Sequence, residues 1–201
     1  MRVSRLNIGG LIEKDPPKEP PKGYKYNEAG NLVPIDFEEF HEENDLDMED
    51  LMRGGSQAES AGGELMLNPY SSATGEYGQL YNEIKDLQFM QGISRDEFSR
   101  DRDLQKKVFK MRVEGDLPNI PSLEKNAYDL TDEYAPQLGD KWDFTLDEVA
   151  AISNYLGRQG ARNYFASIRD NTEYIPSGTV NKPVEEYLQI YRSGRDASYE
   201  E

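Results

Sequence analysis

The sequence predicts an all-α domain that follows an extended, acidic arm containing several prolines. Two observations predict the domain: apolar residues recur at helical spacing from Gln79 onward, and two capping-box motifs mark helix starts. A third observation predicts the arm, because the first 50 or so residues combine a proline cluster with an acidic run. We therefore expect an arm over residues 1–55, a helical domain over 56–193 and an acidic tail over 194–201.

The arm has two segments of different composition. Residues 15–22 read DPPKEPPK, and we expect polyproline II geometry there because each proline removes a backbone donor and favours extended geometry before it. Residues 36–50 hold nine acids and no lysine or arginine, so repulsion prevents this run from folding alone. It is either a solvated linker or a docking segment, and docking would place Ile35, Phe37 and Phe40 on a basic protein partner.

The first helices of the domain are predicted between Gln79 and Gly115. The apolar face of the first one ends before Gly92 and consists of Leu80, Tyr81, Ile84, Leu87 and Met90. A capping box at Ser94–Glu97 opens the next helix, because the serine oxygen and the glutamate carboxylate satisfy backbone donors at a helix start. The apolar positions of that helix are Phe98, Leu104, Val108 and Met111.

Further helices are predicted over residues 122–134 and 145–156, and from residues 160 and 183 onward. Thr145 to Glu148 form a second capping box, Gly157 ends that helix, and Pro183 suits the first turn of the last one. Their apolar positions are Leu123, Ala127, Leu130, Tyr134, Val149, Ile152, Leu156, Tyr164, Phe165, Ile168, Val184, Tyr187, Leu188 and Tyr191. We expect Trp142 to be a partly buried anchor.

Composition excludes several classes of function. The chain has no cysteine and one histidine, His41, so we expect no disulfide framework, no metal site and no cofactor. With 23 basic and 39 acidic side chains its net charge is −16, which repels nucleic-acid backbones and anionic membranes. The sequence also contains no long apolar run and no apolar signal-peptide stretch, so we expect synthesis in the cytoplasm and no membrane insertion.

A series of short motifs occurs at the start of the domain. Residues 57–63 read QAESAGG, an Asn68-Pro69 pair follows nine residues after Glu59, and residues 71–77 read SSATGEY. In order and spacing this series resembles the lysozyme-like lytic transglycosylases, in particular those carried inside phage virions. The resemblance continues through residues 96–105, 150–162 and 180–188 and covers about 140 of the 201 residues.

The resemblance implies a lysozyme-like helical fold and a set of site residues. Glu59 corresponds to the catalytic glutamate of the family, which acts first as acid and then as base while the 6-hydroxyl of the sugar attacks. The substrate-binding residues that it implies are Ser60, Asn68, Ser72, Tyr77 and Gln79. Gln79 comes one position later than the glutamine of the family, and Gly78 stands in that position.

Two glycines precede the motif that contains Glu59. Gly54 and Gly55 would each cost about 1 kcal/mol in a helix interior. From this cost we expect the helix that carries Glu59 to be only about one turn long.

Two functions follow from the resemblance. The first is a virion-associated enzyme that cleaves peptidoglycan glycan strands during phage entry. The second is a catalytically degenerate structural protein of the phage particle, in its tail or internal core, that docks other virion proteins through the arm. The net charge disfavours a freely diffusing lysin, because peptidoglycan is itself anionic, but it does not hinder a tethered domain.

Overall fold

The computed structural model describes residues 24–26, 32–34, 46–64, 66–68, 71–176 and 182–197. The predictions for residues 15–22, for Ile35, Phe37 and Phe40, and for the end of the tail lie outside these residues. The elements are β1 (Tyr24–Tyr26), β2 (Leu32–Pro34), α1 (Met48–Ser60), β3 (Ala73–Thr74), β4 (Gln79–Leu80), α2 (Tyr81–Ile84), α3 (Arg95–Arg100), α4 (Arg102–Glu114), α5 (Leu123–Leu138), α6 (Leu146–Asp170) and α7 (Val184–Asp196).

The described chain is mostly helical, as predicted, but it also contains two short antiparallel hairpins. Strand β1 pairs with β2, with Lys25 opposite Val33, and β3 pairs with β4, with Thr74 opposite Gln79. Strands of two or three residues are too short to show an alternating pattern, so the sequence did not reveal them. None of the helices in the described ranges combines the length and the apolar character that crossing a bilayer requires.

Helix α1, which carries Glu59, is thirteen residues long, and the prediction of a single turn was wrong. Gly54 allows a close approach to α7, whose Tyr191 ring lies against it. A Cβ atom at Gly54 would lie 2.5 Å from Tyr191 Cε2. In the same way, Gly194 of α7 lies against the side chain of Gln57 of α1, with no room for a Cβ atom. Packing between the two helices offsets the low helix propensity of glycine.

The helical body extends beyond the predicted limits of residues 56 and 193 at both ends. Helix α1 begins at Met48, its Leu51 is buried in the core, and α7 continues to Asp196. The end of the acidic run is therefore structured: Asp47 caps α1 by accepting hydrogen bonds from the backbone of Glu49 and Asp50. Acidic side chains are favourable here because the amino end of a helix carries partial positive charge.

Two predicted helices in the first half of the domain are divided. The segment expected to be one helix from Leu80 to Met90 consists of β4, α2 and a 3-10 turn over Gln88–Met90, because Leu87 is extended. The capping box at Ser94 is confirmed, but the helix that it opens ends at Arg100. Asp101 then caps α4, accepting a hydrogen bond from the Leu104 amide at 2.9 Å.

Helix α6 begins at the predicted capping box of Thr145 and bends at the predicted glycine. Gly157 has a φ of 69°, which is not helical, and it separates residues 146–156 from residues 158–170. Pro183 directly precedes α7. Proline disrupts a helix only beyond its first turn, so this position is favourable.

The core has two parts. The larger part lies between α1, α5, α6 and α7, and in it the buried Trp142 packs on Phe144 and Phe165, which confirms the prediction that this tryptophan is an anchor. The smaller part is formed by Ile84, Met90, Phe98, Val108 and Leu117. The last turn of α1 and the β3–β4 hairpin contribute Ala58 and Tyr77 to the larger part and contain most of the predicted site residues.

Candidate active site

Glu59 occupies the last turn of α1 and is half-buried. The helix ends immediately afterwards because Ala61, Gly62 and Gly63 all have positive φ angles. Two side chains from distant parts of the chain donate hydrogen bonds to Glu59 Oε1: the Tyr187 hydroxyl of α7 at 3.0 Å and Asn154 Nδ2 of α6 at 3.3 Å. The acid is thus held at the end of α1 by contacts from α6 and α7.

Gly78 approaches the other oxygen of Glu59 from the β3–β4 hairpin. A Cβ atom at this position would lie 2.6 Å from Glu59 Oε2, and the φ of Gly78 is +61°. Both the space and the backbone conformation therefore require glycine. The residue that departs from the family pattern is the one that allows the hairpin to contact Glu59.

The electrostatic environment of Glu59 has opposing contributions. Burial raises the pKa of Glu59, and this effect exceeds the lowering by the hydrogen bond from Tyr187, the charge of Arg112, the hydrogen bond from Asn154 and the charge of Lys182. The Nε atom of Arg112 is buried without a hydrogen-bond partner among the described residues, and burial lowers the pKa of its guanidinium. Glu59 can therefore hold a proton closer to neutrality than an exposed glutamate.

The segment between α1 and the hairpin is held by one arginine. Arg95 Nη2 donates to the backbone oxygens of Asn68, Ser71 and Ala73 at 2.8 to 2.9 Å, and its Nε donates to Thr74 Oγ1 at 2.6 Å. The backbone N–H of Asn68 also donates a hydrogen bond to the backbone oxygen of Ala73. Two of the predicted substrate-binding residues, Asn68 and Ser72, lie in this segment, where the family would use them to support the loop.

The other three predicted substrate-binding residues are buried. Ser60 Oγ donates to the Ser56 oxygen and accepts from the Gly63 amide, so it stabilises the end of α1. The Tyr77 ring stacks on Phe109 at 4.6 Å. Gln79 is 1% exposed and donates to the Gln105 oxygen. The structure therefore gives Ser60, Tyr77 and Gln79 packing roles in place of the predicted substrate contacts.

Two clefts lie near Glu59 without including it. One, of about 880 Å³, is bounded by α1, α4 and the end of α7 and is lined by residues that include Ser56 and Tyr77. Another, of about 580 Å³, lies between the end of α6 and the start of α7 and has Lys182 on its wall. Lys182 Nζ donates to the oxygen of Ala58 at 3.4 Å, so this second cleft borders the Glu59 site.

The structure adds Asn154, Tyr187, Arg112, Lys182 and Gly78 to the site. Three of them lie within stretches 150–162 and 180–188, where the motif series continues, but their roles were not evident from sequence. Tyr187 occupies a regular apolar position of its helix, which predicts only core packing. Tyr187 can be distinguished from other core tyrosines only when it is known which helix faces Glu59.

In the ranges that the structure describes, no three His, Cys, Asp or Glu side chains come together in a way that would hold a metal ion. The chain matches no protein-family model, no curated protein and no solved structure. The resemblance to lysozyme-like lytic transglycosylases therefore rests on the motif residues of the sequence alone.

Proposed function

We propose that the protein is a virion-associated lytic transglycosylase that cleaves peptidoglycan glycan strands, with Glu59 as its general acid and base. The observation that carries the proposal is the state of Glu59: it ends a helix, it is half-buried, and burial raises its pKa. A glycosidic oxygen leaves only when it receives a proton, so an acid that retains its proton near neutrality is the first requirement of the reaction.

The proposed reaction needs one carboxyl group. Glu59 gives its proton to the leaving glycosidic oxygen as the bond from that oxygen to the anomeric carbon breaks. The 6-hydroxyl of the same sugar then bonds to the anomeric carbon and returns its proton to Glu59. The products are a new 4-hydroxyl end and a 1,6-anhydro end, and no water is consumed.

The polar partners of Glu59 suit this cycle. Tyr187 and Asn154 donate hydrogen bonds to Oε1, which stabilises the carboxylate after the proton has left. Arg112 and Lys182 favour the same charged form. Hydrolytic enzymes of this type require a second carboxylate to activate water. Among the described residues, the side chains that donate hydrogen bonds to Glu59 are a phenol and an amide, which favours the transglycosylase reaction.

The proposed setting is the phage particle. The ordered motif series supports it, and so does the net charge of −16, since a tethered enzyme does not depend on diffusional encounter with an anionic cell wall. In this setting the arm, including Ile35, Phe37 and Phe40, would bind other virion proteins.

A structural role is the second candidate, and the burial of predicted groove residues favours it. Ser60, Tyr77 and Gln79 are each no more than 2% exposed, so the side chains that would contact a sugar in the family here pack the hairpin and the helix end. In this case the same scaffold would serve assembly of the particle alone.

The experiment compares the parent protein with Glu59→Gln on purified peptidoglycan, with analysis of the products for 1,6-anhydro ends. We expect the substitution to lower the rate by about 10² to 10⁴, as for loss of a general acid. Glu64→Gln, at an exposed glutamate in the turn that follows α1, is the matched control and should retain full activity. A folded parent protein that releases no anhydro ends would support the structural role instead.

A further inference from the structure

Tyr155 of α6 contacts both Tyr187 and Lys182, two residues that lie beside Glu59. It lies on α6, two residues before the bend at Gly157. Its ring stacks on the ring of Tyr187, with centroids 4.1 Å apart and planes inclined by 10°. Its hydroxyl donates to the backbone oxygen of Lys182 and accepts from the backbone amide of Lys182, both at 3.0 Å.

The two contacts of Tyr155 are with residues that both lie beside Glu59. Tyr187, held by the stacked ring, donates its hydroxyl to Glu59 Oε1 at 3.0 Å. Lys182, held through its backbone, directs its Nζ to the oxygen of Ala58, the residue before Glu59, at 3.4 Å. One side chain therefore determines the positions of a hydrogen-bond donor and a positive charge beside the candidate acid.

Packing alone does not require this arrangement. Filling the space next to Tyr187 needs only the Tyr155 ring, and a phenylalanine would provide it. The paired hydrogen bonds to the backbone N–H and C=O of one residue, Lys182, hold the segment directly before α7 at a fixed place relative to α6. Since α7 carries Tyr187 and the same segment carries Lys182, both groups are fixed together.

We infer that Tyr155 is a positioning residue of the candidate active site, which orients Tyr187 through its ring and Lys182 through its hydroxyl. This inference rests on the proposed function for its effect on turnover, but not for its effect on Glu59 itself. The groups that face Glu59 are Tyr187 of α7, Asn154 of α6, Arg112 of α4, Lys182, and the backbone at Gly78. Tyr155 controls two of these five.

The test uses two substitutions of Tyr155. Tyr155→Phe keeps the ring and removes both hydrogen bonds to Lys182, whereas Tyr155→Leu also removes the stacking on Tyr187. Tyr81→Phe is the matched control, because it removes a tyrosine hydroxyl that donates to a backbone oxygen, that of Ile93, beside the smaller part of the core. The full chain is used throughout.

The first readout is the pH titration of the Glu59 carboxyl carbon by NMR, assigned by comparison with Glu59→Gln. We expect Tyr155→Phe to raise the pKa of Glu59, because Lys182 then stabilises the carboxylate less, and Tyr155→Leu to raise it further. Tyr81→Phe should leave the titration unchanged. An unaltered Glu59 titration in both Tyr155 variants would overturn the inference, whether or not the protein is an enzyme.

The second readout is turnover on peptidoglycan. Misplacement of a catalytic group by a fraction of an ångström to an ångström lowers rates by about 10-fold to 100-fold, so kcat should fall by this factor in Tyr155→Phe while KM changes little. The pH profile of kcat should move in the same direction as the titration. A parent protein with no activity would refute the proposed function, and the titration would still decide whether Tyr155 positions Glu59.

Discussion

Replacing Gly54 by alanine tests how closely α1 and α7 must approach. The added Cβ would lie 2.5 Å from Tyr191 Cε2 and 2.7 Å from both Cδ2 and Cζ. Cβ atoms in proteins essentially never come closer than 3.0 Å to a neighbouring atom of this kind. The ring cannot turn away easily, because Tyr191 is fully buried and its hydroxyl donates to Asp147 Oδ2 at 2.9 Å. The helices must therefore separate, or the ring must leave its rotamer.

Gly55 provides the matched control for this substitution. Its Cβ would meet only Tyr77 Cδ1, at 4.0 Å, which is ordinary van der Waals contact. Both substitutions gain about 1 kcal/mol of helix propensity, but only Gly54→Ala overpacks the core, at a cost of about 1 to 3 kcal/mol. The free energies of unfolding of the two variants should therefore differ by about 1 to 3 kcal/mol, with Gly55→Ala the more stable.

Urea unfolding followed by circular dichroism measures the difference in unfolding free energy. In thermal unfolding, the Tm of Gly54→Ala should be about 2 to 12 °C lower than that of Gly55→Ala. Activity should follow, because separation of α7 from α1 removes the Tyr187 hydroxyl from Glu59. Equal stability of the two alanine variants would refute the argument that the α1–α7 contact requires a glycine at position 54.

Three further predictions concern the site and its loop. Gly78→Ala should lower activity about 100-fold and stability by about 1 kcal/mol, because its Cβ would lie 2.6 Å from Glu59 Oε2 at a φ of +61°; kinetic and urea measurements on one preparation test both. Glu59→Gln should be more stable than the parent near pH 7, because the raised pKa of Glu59 means that its negative charge opposes folding. The difference in unfolding free energy should vanish below the ordinary glutamate pKa of 4.5. A constant difference from pH 3 to 8 would contradict this. Arg95→Met should cost about 2 kcal/mol through the loss of its hydrogen bonds to the loop, whereas Arg100→Met, which loses only an exposed ion pair with Asp96, should cost less than about 0.5 kcal/mol.

Local signals in the sequence predicted the helix starts and the bend of the domain well. The capping boxes at Ser94 and Thr145 and the break at Gly157 are all present, because each depends on residues within one turn of the helix. The length of α1 could not be predicted in this way. Its glycines lower helix propensity locally, and the contact with Tyr191 that compensates for them comes from a distant helix.

In the candidate site, too, local motifs could be recognised from the sequence, whereas contacts between distant parts of the chain could not. The sequence directed attention to Glu59 because the surrounding motif is contiguous, and the predicted roles of Glu59, Asn68 and Ser72 stay predictions. The roles of Tyr187 and Asn154 depend on which faces of α6 and α7 meet the end of α1, and helical spacing does not encode that choice. Gln79 was expected near a groove, but pairing of β4 with β3 turns it into the core, toward Gln105.

The hydrogen bond between Tyr187 and Glu59 joins residues that are 128 positions apart in the chain. Contacts of such large sequence separation form late in folding, since the entropy of closing the long loop must be overcome first. A nascent chain that has not yet reached α7 has no partner for the glycine face of α1 and no phenol beside the acid. Any catalytic competence would therefore arise only after α7 has been synthesised, and nonsense fragments that stop before Val184 would lack it entirely.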